Sequence, residues 1–406
     1  MRITDVRPVL LTGPSSNDPW ITVAKATRTA GFVEVHTDAG LVGVGETYAG
    51  YFAPELIAPI VEYVRPILLH GDTVDPVVLT QRMRRSLVYW ARVGVGAAVI
   101  SAVEAALWDL AGKAEGVPVY SLLGGSSYSR LPAYATGGPS NWPADELKRK
   151  LDHYLSLGFT AVKVGSGWFD GTTRRPQAPP SSITEIAGLE AEKLALMRAH
   201  AGPGVAFMLD GHMGHKTGAE RWDVPTARAV LDGVGAGGVE FFEEPLPYDD
   251  PDEYAALTSG APVRVAGGEQ LTSVEEFRLW LSRGAFAVAQ PDAAWLGVSG
   301  FVEVGRLAAA QGGWVASHAW SGGGGVLQNV HAAFASPSSL IVEIPPDGGE
   351  LHTLLWGDSL VIEDGCVLPP QAPGLGVTLT DEIKERFPFR PGHEEFVSVP
   401  GKVLST

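Results

Sequence analysis

Short apolar runs in the second half of the chain end in acidic residues or a histidine at nearly regular intervals. These residues are Asp210, Glu243, Glu269, Asp292, His318 and Glu343. The steps between them are 33, 26, 23, 26 and 25 residues, about the length of one β-strand plus one helix, because a barrel of eight βα units needs roughly 250 residues. Polar groups at the carboxyl ends of successive parallel strands converge on one end of a barrel. The spacing therefore predicts a parallel barrel with an acidic site at that end.

Eight strands alternating with helices can be assigned from Leu131 onward. The predicted strands are Leu131–Ala135, Ala161–Val164, Val205–Asp210, Val239–Glu243, Val263–Gly267, Ala287–Gln290, Trp314–Ser317 and Leu340–Glu343. The predicted helices are residues 145–157, 187–201, 224–234, 251–259, 273–283, 299–311 and 326–335. An open doubly wound sheet is the alternative, but it usually carries a glycine-rich phosphate loop after its first strand, and no G-x-G-x-x-G stands there.

The first third of the chain has a different pattern. Residues 1–47 alternate β-rich runs with turns, and residues 54–125 show helical spacing, which together predict an α+β unit. The apolar run at 93–112 contains Glu104 and Asp109 and predicts a buried amphipathic helix, not a membrane span. After Asp358 a chain rich in proline and glycine predicts an irregular tail that packs back on this unit. The predicted divisions are 1–128, 129–357 and 358–406.

Composition limits the classes of partner. The net charge is −16, from 30 basic and 46 acidic residues, which argues against nucleic acid or an anionic membrane because both need a basic surface. Cys366 is the only cysteine, so no intrachain disulfide can form. The first residues lack a signal-peptide pattern. We therefore expect a cytoplasmic protein that acts on a small molecule.

Three acids on consecutive strands form a candidate metal site. Asp210, Glu243 and Glu269 end the third, fourth and fifth strands, and neighbouring strands are about 4.8 Å apart. Hard oxygen ligands suit Mg²⁺. The alternative is that each acid caps the helix that follows its strand. Glu244 is a rival for Glu243, because the two side chains alternate in direction.

Other polar residues at the strand ends are candidates for proton transfer. Asp292 beside His318 would fix the imidazole tautomer and make it a general base, although a histidine there can simply be a satisfied polar group. Glu343 on the last strand would lie near His318 and could bind a substrate oxygen. Lys163 faces the barrel mouth, where a buried ammonium needs an anionic partner such as a substrate carboxylate. His212 shares the side of its strand with Asp210 and is a candidate proton donor across the pocket from His318.

Several short motifs together resemble the mandelate racemase and muconate lactonizing enzyme branch of the enolase superfamily, nearly from end to end. The motifs are AALWDLAGK, PVYSLLGG, MLDGH, FFEEPLP, AGGEQ, QPD and ASH. The resemblance implies a modified TIM barrel, (β/α)7β, with an N-terminal α+β capping domain that the tail completes. It implies that Asp210, Glu243 and Glu269 hold one Mg²⁺ per subunit and that His318 and Asp292 are the base dyad. It also implies a homo-oligomer, since relatives often form even-numbered assemblies.

Two positions narrow the activity that the resemblance implies. Racemases of this branch carry Lys-x-Lys on the second strand, where the second lysine is a base, and Gly165 stands at that position here. Asp210 and His212 form a D-x-H pattern similar to that of galactonate-type acid-sugar dehydratases, whose histidine protonates the leaving hydroxide. We therefore expect a lyase that dehydrates an aldonate or aldarate to a 2-keto-3-deoxy acid.

Other functions stay open from the sequence. A racemase, epimerase or cycloisomerase could use the same scaffold, and a catalytically idle protein could bind a sugar acid. A metal-dependent hydrolase is a further alternative, but it would be expected to use several histidine ligands.

The substrate pocket is predicted from the same resemblance, which places specificity in cap loops at residues 15–20 and 48–52. Trp20 and Tyr51 in these loops, with Trp320 beside His318, are the candidate substrate-binding residues. The cap aromatics could instead seal the cap against the barrel. The segment 165–182 is either a lid or a surface loop.

Overall fold

The computed structural model of the protein describes residues 1–17, 27–70, 73–137, 141–173 and 175–392, with the backbone alone at position 219. The chain begins with an antiparallel sheet in the order β1-β2-β3. Its strands are β1 (Ile3–Pro14), β2 (Thr27–Thr37) and β3 (Val42–Thr47). The helices that follow are α1 (Ala49–Phe52), α2 (Ile57–Leu69), α3 (Pro76–Ser86), α4 (Gly94–Glu115) and α5 (Val119–Leu122). The sheet and these helices form the cap.

Helix α4 packs directly on the sheet because two glycines of β3 leave room for it. A Cβ atom at Gly43 would lie 2.0 Å from the Ala106 carbonyl oxygen, and one at Gly45 would lie 2.1 Å from that of Ala102. Within the described part of the chain, α4 is also the one helix long and apolar enough to cross a membrane, and 78% of its most apolar window is buried inside the protein. The predicted buried helix is therefore present. Its burial is not confined to one face, because it lies between the sheet and helices of the second domain.

Eight parallel strands form the barrel of the second domain, and each pairs with the next in the chain. The strands are β4 (Leu131–Ala135), β5 (Ala161–Gly165), β6 (Ala206–Asp210), β7 (Phe242–Glu243), β8 (Val265–Gly267), β9 (Val288–Ala289), β10 (Trp314–Ala316) and β11 (Ser339–Ile344). The barrel closes where β11 pairs with β4, with Glu343 opposite Tyr134.

Helices connect consecutive strands around the outside of the barrel. They are α6 (Ala144–Ser156), α7 (Ile183–Ala201), α8 (Val224–Gly235), α9 (Pro251–Thr258), α10 (Val274–Ser282), α11 (Ala293–Leu296), α12 (Val298–Ala310) and α13 (Gly323–Ala335). Because α11 and α12 together connect β9 to β10, the barrel has seven βα units and a final strand. This confirms the predicted (β/α)7β barrel with an N-terminal α+β domain.

The barrel interior is filled by one buried cluster with a residue in, or directly before, every strand. Its members are Tyr134, Ala161, Met208, Phe241, Ala266, Val288, Ala316 and Ile341. Side chains two residues apart on a strand point to the same side, so the next inward layer lies at the carboxyl end of the barrel. That layer contains Lys163, Asp210, Glu243, His318 and Glu343 from the predicted site, together with Thr136 and Gln290.

The tail contacts both the barrel and the cap. Helix α14 (Glu350–Trp356) precedes it, and the tail itself contains β12 (Ile362–Glu363), β13 (Cys366–Val367) and α15 (Asp381–Arg386). Strand β13 pairs antiparallel with β4, and the Phe387 carbonyl accepts a hydrogen bond of 3.1 Å from the Thr12 amide in β1. The expectation of a wholly irregular tail is wrong. Asp364 and Gly365 have positive φ of 50° and 70°, which closes a tight hairpin between β12 and β13.

Candidate active site

Carboxylates from three strands surround one lysine at the mouth of the barrel. Asp210 and Glu243 are register partners on β6 and β7. The Lys163 ammonium on β5 lies 2.6 Å from Glu243 Oε1, 3.6 Å from Asp210 Oδ2 and 3.6 Å from Glu343 Oε1. The anionic partner predicted for Lys163 is therefore, in this structure, a set of protein carboxylates.

One ammonium does not balance this much buried acid. Burial raises the pKa of Glu243 to about 8, against the opposing effect of Lys163. Burial and the charge of Glu244 raise the pKa of Glu269 to about 7. Burial disfavours the Asp210 carboxylate too, but His212 and Lys163 hold the pKa of Asp210 below its ordinary value. Burial and neighbouring carboxylates thus disfavour the charged form of several of these side chains, and an additional positive charge would stabilise that form.

The donor set fits a divalent cation, although the arrangement is not that of a closed ligand shell. Among the described residues, no three His, Cys, Asp or Glu side chains meet the spacing of a formed metal site. Glu243 Oε2 is nevertheless buried and accepts no hydrogen bond from any residue that the structure describes, and the buried Asp210 Oδ2 has His212 Nε2 at 3.0 Å. Such oxygens, with Glu269 beside them, are the hard ligands that Mg²⁺ prefers. Asp210, Glu243 and Glu269 are therefore the residues that would hold it.

Glu244 turns away from Lys163. Its φ of 44° places it in the left-handed region, so its side chain leaves the strand in a different direction from that of Glu243. Its carboxylate accepts hydrogen bonds from the Gly214 amide at 3.2 Å and from Gln270 Nε2 at 3.4 Å. Glu244 thus contacts the loop after β6, and Glu243 is the member of the pair that faces the site.

His318 and Asp292 form a hydrogen-bonded pair. His318 Nδ1 and Asp292 Oδ2 are 2.9 Å apart. Asp292 Oδ1 also accepts from the Ala294 amide and from Asn329 Nδ2, both at 2.8 Å. The other ring nitrogen, Nε2, faces the acidic cluster at 3.8 Å from Glu269 Oε2. The pair is thus oriented as a general base held by a buried carboxylate would be.

The acidic surroundings favour the protonated form of His318. Burial by itself lowers the pKa of this imidazole, but Glu269, the hydrogen bond with Asp292 and the charge of Glu343 together raise the pKa to about 10. The ring is therefore strongly basic in the absence of an added cation.

His212 contacts the same cluster through a different carboxylate. Its Nε2 is 3.0 Å from Asp210 Oδ2, and its side chain is 45% exposed. Partial desolvation of the ring lowers the pKa of His212, but the charge of Asp210 and the hydrogen bond with it outweigh that effect and raise the pKa. A Cβ atom built on Gly165 would lie 3.8 Å from His212 Nδ1. His212 therefore borders the space that a side chain at position 165 would enter.

Glu343 connects the cluster to the loop after β10. While its Oε1 lies near Lys163, its Oε2 accepts a hydrogen bond of 3.0 Å from the amide of Ala319, next to His318. Glu343 is 2% exposed. It is close to His318, as the strand order predicts.

Aromatic residues of the cap meet the barrel beside His318. The Tyr48 ring centroid is 5.4 Å from that of His318. Tyr51, which is 2% exposed, accepts a hydrogen bond of 2.8 Å from Trp320 Nε1. Tyr51 and Trp320 therefore contact each other at the boundary between cap and barrel. Trp20 lies outside the described residues.

Sequence reasoning missed three residues beside the site. Tyr48 was predicted only as part of the cap loop 48–52. No pattern in the sequence links Asn329 on α13 to Asp292. Gln290 occupies the same inward layer as Lys163, so strand alternation could have found it. Both of its side-chain amide atoms are buried without a hydrogen-bond partner in the described part of the chain.

The start of the 165–182 loop is anchored by buried charges on α7. Lys193 Nζ donates to the Gly165 carbonyl at 2.9 Å, and Glu190 Oε1 accepts from the Gly167 amide at 2.7 Å. Further along, the Phe169 amide donates to the Asn141 carbonyl at 2.7 Å. These contacts fix the chain that leaves β5.

Comparison with known families and proteins gives consistent matches. Residues 146–383 match the family described as enolase C-terminal domain-like. Residues 11–124 match the mandelate racemase / muconate lactonizing enzyme N-terminal domain. An arabinonate dehydratase of Saccharolobus solfataricus is 29% identical over 87% of this chain and 89% of its own. A 3,6-anhydro-alpha-L-galactonate cycloisomerase of Streptomyces coelicolor is 29% identical over 86% of this chain and 89% of its own.

Solved structures have the same fold. A racemase from Streptomyces coelicolor, crystallised with bound magnesium, has a TM-score of 0.79 to this chain. It is 27% identical, and the match covers 95% of this chain and 99% of the racemase. The similarity therefore includes both the cap and the barrel.

Proposed function

The chain belongs to the mandelate racemase and muconate lactonizing enzyme family of the enolase superfamily, and on that premise we propose that it is a Mg²⁺-dependent dehydratase of a sugar acid. The substrate class is an aldonate or an aldarate, and the product is a 2-keto-3-deoxy acid. The dehydratase name of one relative supports this class, and the acidic barrel mouth supports a carboxylate substrate held through a cation.

One observation carries the proposal: two imidazoles contact a single acidic cluster through different carboxylates. His318 approaches Glu269 at 3.8 Å, and His212 approaches Asp210 at 3.0 Å. A dehydration needs one group to remove a proton and another to protonate the leaving hydroxyl. A racemisation needs a base on each face of the carbon, and Gly165 supplies no such group where racemases of the family carry a lysine.

The reaction uses these residues in turn. His318, oriented by Asp292, takes the proton from C2 of the sugar acid through Nε2. Negative charge develops on the carboxylate oxygens, where the Lys163 ammonium stabilises it. The C3–O bond then breaks, and the hydroxide leaves as water with a proton from His212. The enol that remains tautomerises to the 2-keto acid.

The cation that Asp210, Glu243 and Glu269 would hold supplies Lewis-acid stabilisation of that developing charge. Glu343 bridges Lys163 and the backbone after His318, so we assign it to binding a substrate oxygen and aligning the base. Tyr51 and Trp320 lie at the cap boundary and are assigned to the wall of the substrate pocket. Trp20, outside the described residues, stays a predicted substrate-binding residue.

A cycloisomerase is the second candidate, because a relative at equal identity has that name. It shares removal of the proton next to a carboxylate and differs in the group that leaves. Formation of a 2-keto acid with loss of water would identify the dehydratase and distinguish it from the cycloisomerase.

The test is a screen of aldonic and aldaric acids with Mg²⁺, with detection of 2-keto acid, repeated in D₂O. We expect one or a few acids to give a 2-keto-3-deoxy product with deuterium at C3. Exchange at C2 without loss of water would favour epimerisation. Stoichiometric binding without exchange for any acid would leave a binding protein and refute the proposal.

A cytoplasmic location and a homo-oligomeric state remain predictions.

A further inference from the structure

Two buried ionisable side chains of the cap, Arg28 and Glu46, form hydrogen bonds with the backbone that follows His318. Arg28 on β2 is 2% exposed, and Glu46 on β3 is 1% exposed. Both contact residues 319–325, here called the post-histidine loop, which lead from β10 into α13. A buried charge normally needs close partners, and these two find theirs mainly in another domain.

Arg28 contacts the first half of the loop. Its Nη1 donates to the carbonyls of Trp320 at 3.1 Å and Ser321 at 3.2 Å. Its guanidinium carbon lies 4.9 Å from the Tyr51 ring centroid and 5.0 Å from that of Trp320. Because the two rings are joined by the hydrogen bond between Trp320 and Tyr51, the guanidinium, the rings and the loop backbone form one packed unit.

Glu46 contacts the second half. One carboxylate oxygen accepts from the Gly322 amide at 2.5 Å, and the other accepts from Gly325 at 2.7 Å. A Cβ atom at Gly322 would lie 2.6 Å from Glu46 Oε1, and one at Gly324 would lie 3.0 Å from Oε2. The run of glycines is therefore what lets the carboxylate reach the backbone.

We propose that Arg28 and Glu46 are positioning residues for His318, so that docking of the cap sets the direction of the catalytic imidazole. This rests on the proposed function, in which His318 is the base. Asp292 fixes the ring through Nδ1, and Glu343 holds the Ala319 amide from the barrel side. The cap hydrogen-bonds to the backbone of Trp320, Ser321, Gly322 and Gly325 in the residues that follow. A displacement of about 1 Å at such a place can cost about 10²-fold in rate.

The first test is Glu46→Gln. A glutamine has the same size but offers a single acceptor oxygen, so one of the two glycine amides loses its partner. We expect kcat to fall by about 10- to 100-fold with KM changed less than about threefold. Hydrogen–deuterium exchange of peptides covering 319–325 should become faster. Arg28→Lys, which keeps the charge and loses the planar fork, should give the same pattern.

Asp109→Asn is the matched control. Asp109 is another fully buried cap carboxylate that accepts two backbone amides, from Val44 at 2.8 Å and Leu375 at 2.7 Å. It does not contact the post-histidine loop. We expect this variant to be less stable but to keep the wild-type kcat and the wild-type exchange at 319–325.

Two results would overturn the proposal. One is a folded Glu46→Gln enzyme with kcat within about twofold of wild type, and the other is an equal loss of kcat in Asp109→Asn. If the wild type turns over no sugar acid, the proposed function fails. Hydrogen–deuterium exchange of peptides covering 319–325 is then the measurement that tests whether the cap holds the loop. Unchanged exchange at 319–325 in both test variants would then show that the cap does not hold this loop.

Discussion

At the scale of single residues, the proposed chemistry depends on two histidines with different surroundings. His318 is 6% exposed and hydrogen-bonded to Asp292, whereas the His212 side chain is 45% exposed and lies beside Gly165. A buried, oriented imidazole suits removal of a proton from carbon. An accessible imidazole beside an open space suits delivery of a proton to a leaving group.

Replacing His318 by asparagine should remove the base. We expect both dehydration and C2 proton exchange in D₂O to fall by about 10²- to 10⁴-fold, since both begin with the same proton removal. His200→Asn, at a surface histidine that pairs with Asp152, is the control and should match wild type. Wild-type exchange in His318→Asn would refute the assignment.

Replacing His212 by asparagine should separate the two steps. We expect dehydration to fall by about 10²-fold or more, while C2 exchange in D₂O continues, because His318 can still remove the proton and return deuterium. The measurement is the ratio of exchange to 2-keto acid formation by NMR. An equal fall in both rates would mean that His212 acts before or during proton removal and not on the leaving hydroxyl.

At the scale of elements, α13 joins the site to the cap and to the tail. Its Asn329 holds Asp292, and Gln328 pairs with the backbone of Glu46 through bonds of 2.6 and 3.1 Å. On the same helix, His331 accepts from the Tyr120 amide through Nδ1 at 3.2 Å, and its Nε2 lies 3.3 Å from the Leu375 carbonyl. The neutral imidazole, protonated on Nε2, satisfies both partners.

His331 should therefore make folding sensitive to acid. Burial lowers the pKa of His331 from 6.5 to about 4. Between these two pH values the imidazole is therefore protonated in the unfolded chain and neutral in the folded chain. The contribution of neutral His331 is present above pH 6.5 and is lost as pH falls through about 4. Over this window wild type should lose about 3 kcal/mol that His331→Gln does not lose.

The measurement is urea unfolding at several pH values between 7 and 4. The quantity compared between variants is the slope of the free energy of unfolding against pH, not the absolute free energy. His200→Gln serves as the surface control and should follow wild type. Parallel curves for wild type and His331→Gln would show that this histidine does not titrate on unfolding.

At the scale of the whole molecule, the barrel concentrates acid at one end. The chain carries a net charge of −16, and the carboxylates of Asp210, Glu243 and Glu269 gather at or just after the ends of β6, β7 and β8. A ligand that binds this end in the folded state alone stabilises the whole fold. Lys163 already pairs with Glu243, so a cation must compete with it for that side chain.

Magnesium should raise the free energy of unfolding. At 100 times its dissociation constant, we expect a gain of about 2.7 kcal/mol, reversed by EDTA. Glu269→Gln should abolish most of the gain, because it removes one anionic ligand. Glu253→Gln, in the first turn of α9, is the control and should keep it. An equal magnesium effect in both variants would place the cation elsewhere.

Much of the architecture follows from local sequence patterns. The strand–helix period predicted eight barrel strands, and Leu131–Ala135 has the same bounds in the structure as in the prediction. The short strands β7 and β9 are only two residues long, and apolar runs extend the prediction beyond them. The hairpin in the tail was missed although Asp364 and Gly365 are a turn signal.

Periodicity along the chain determined that polar residues gather at one end of a barrel, because the direction of a side chain on a strand is a local property. The tertiary structure alone decided which groups meet. It paired Lys163 with Glu243, turned Glu244 to another loop, and brought Glu46 against Gly322, 276 positions later in the chain. Such contacts depend on closure of the barrel and docking of the cap, which no local pattern encodes.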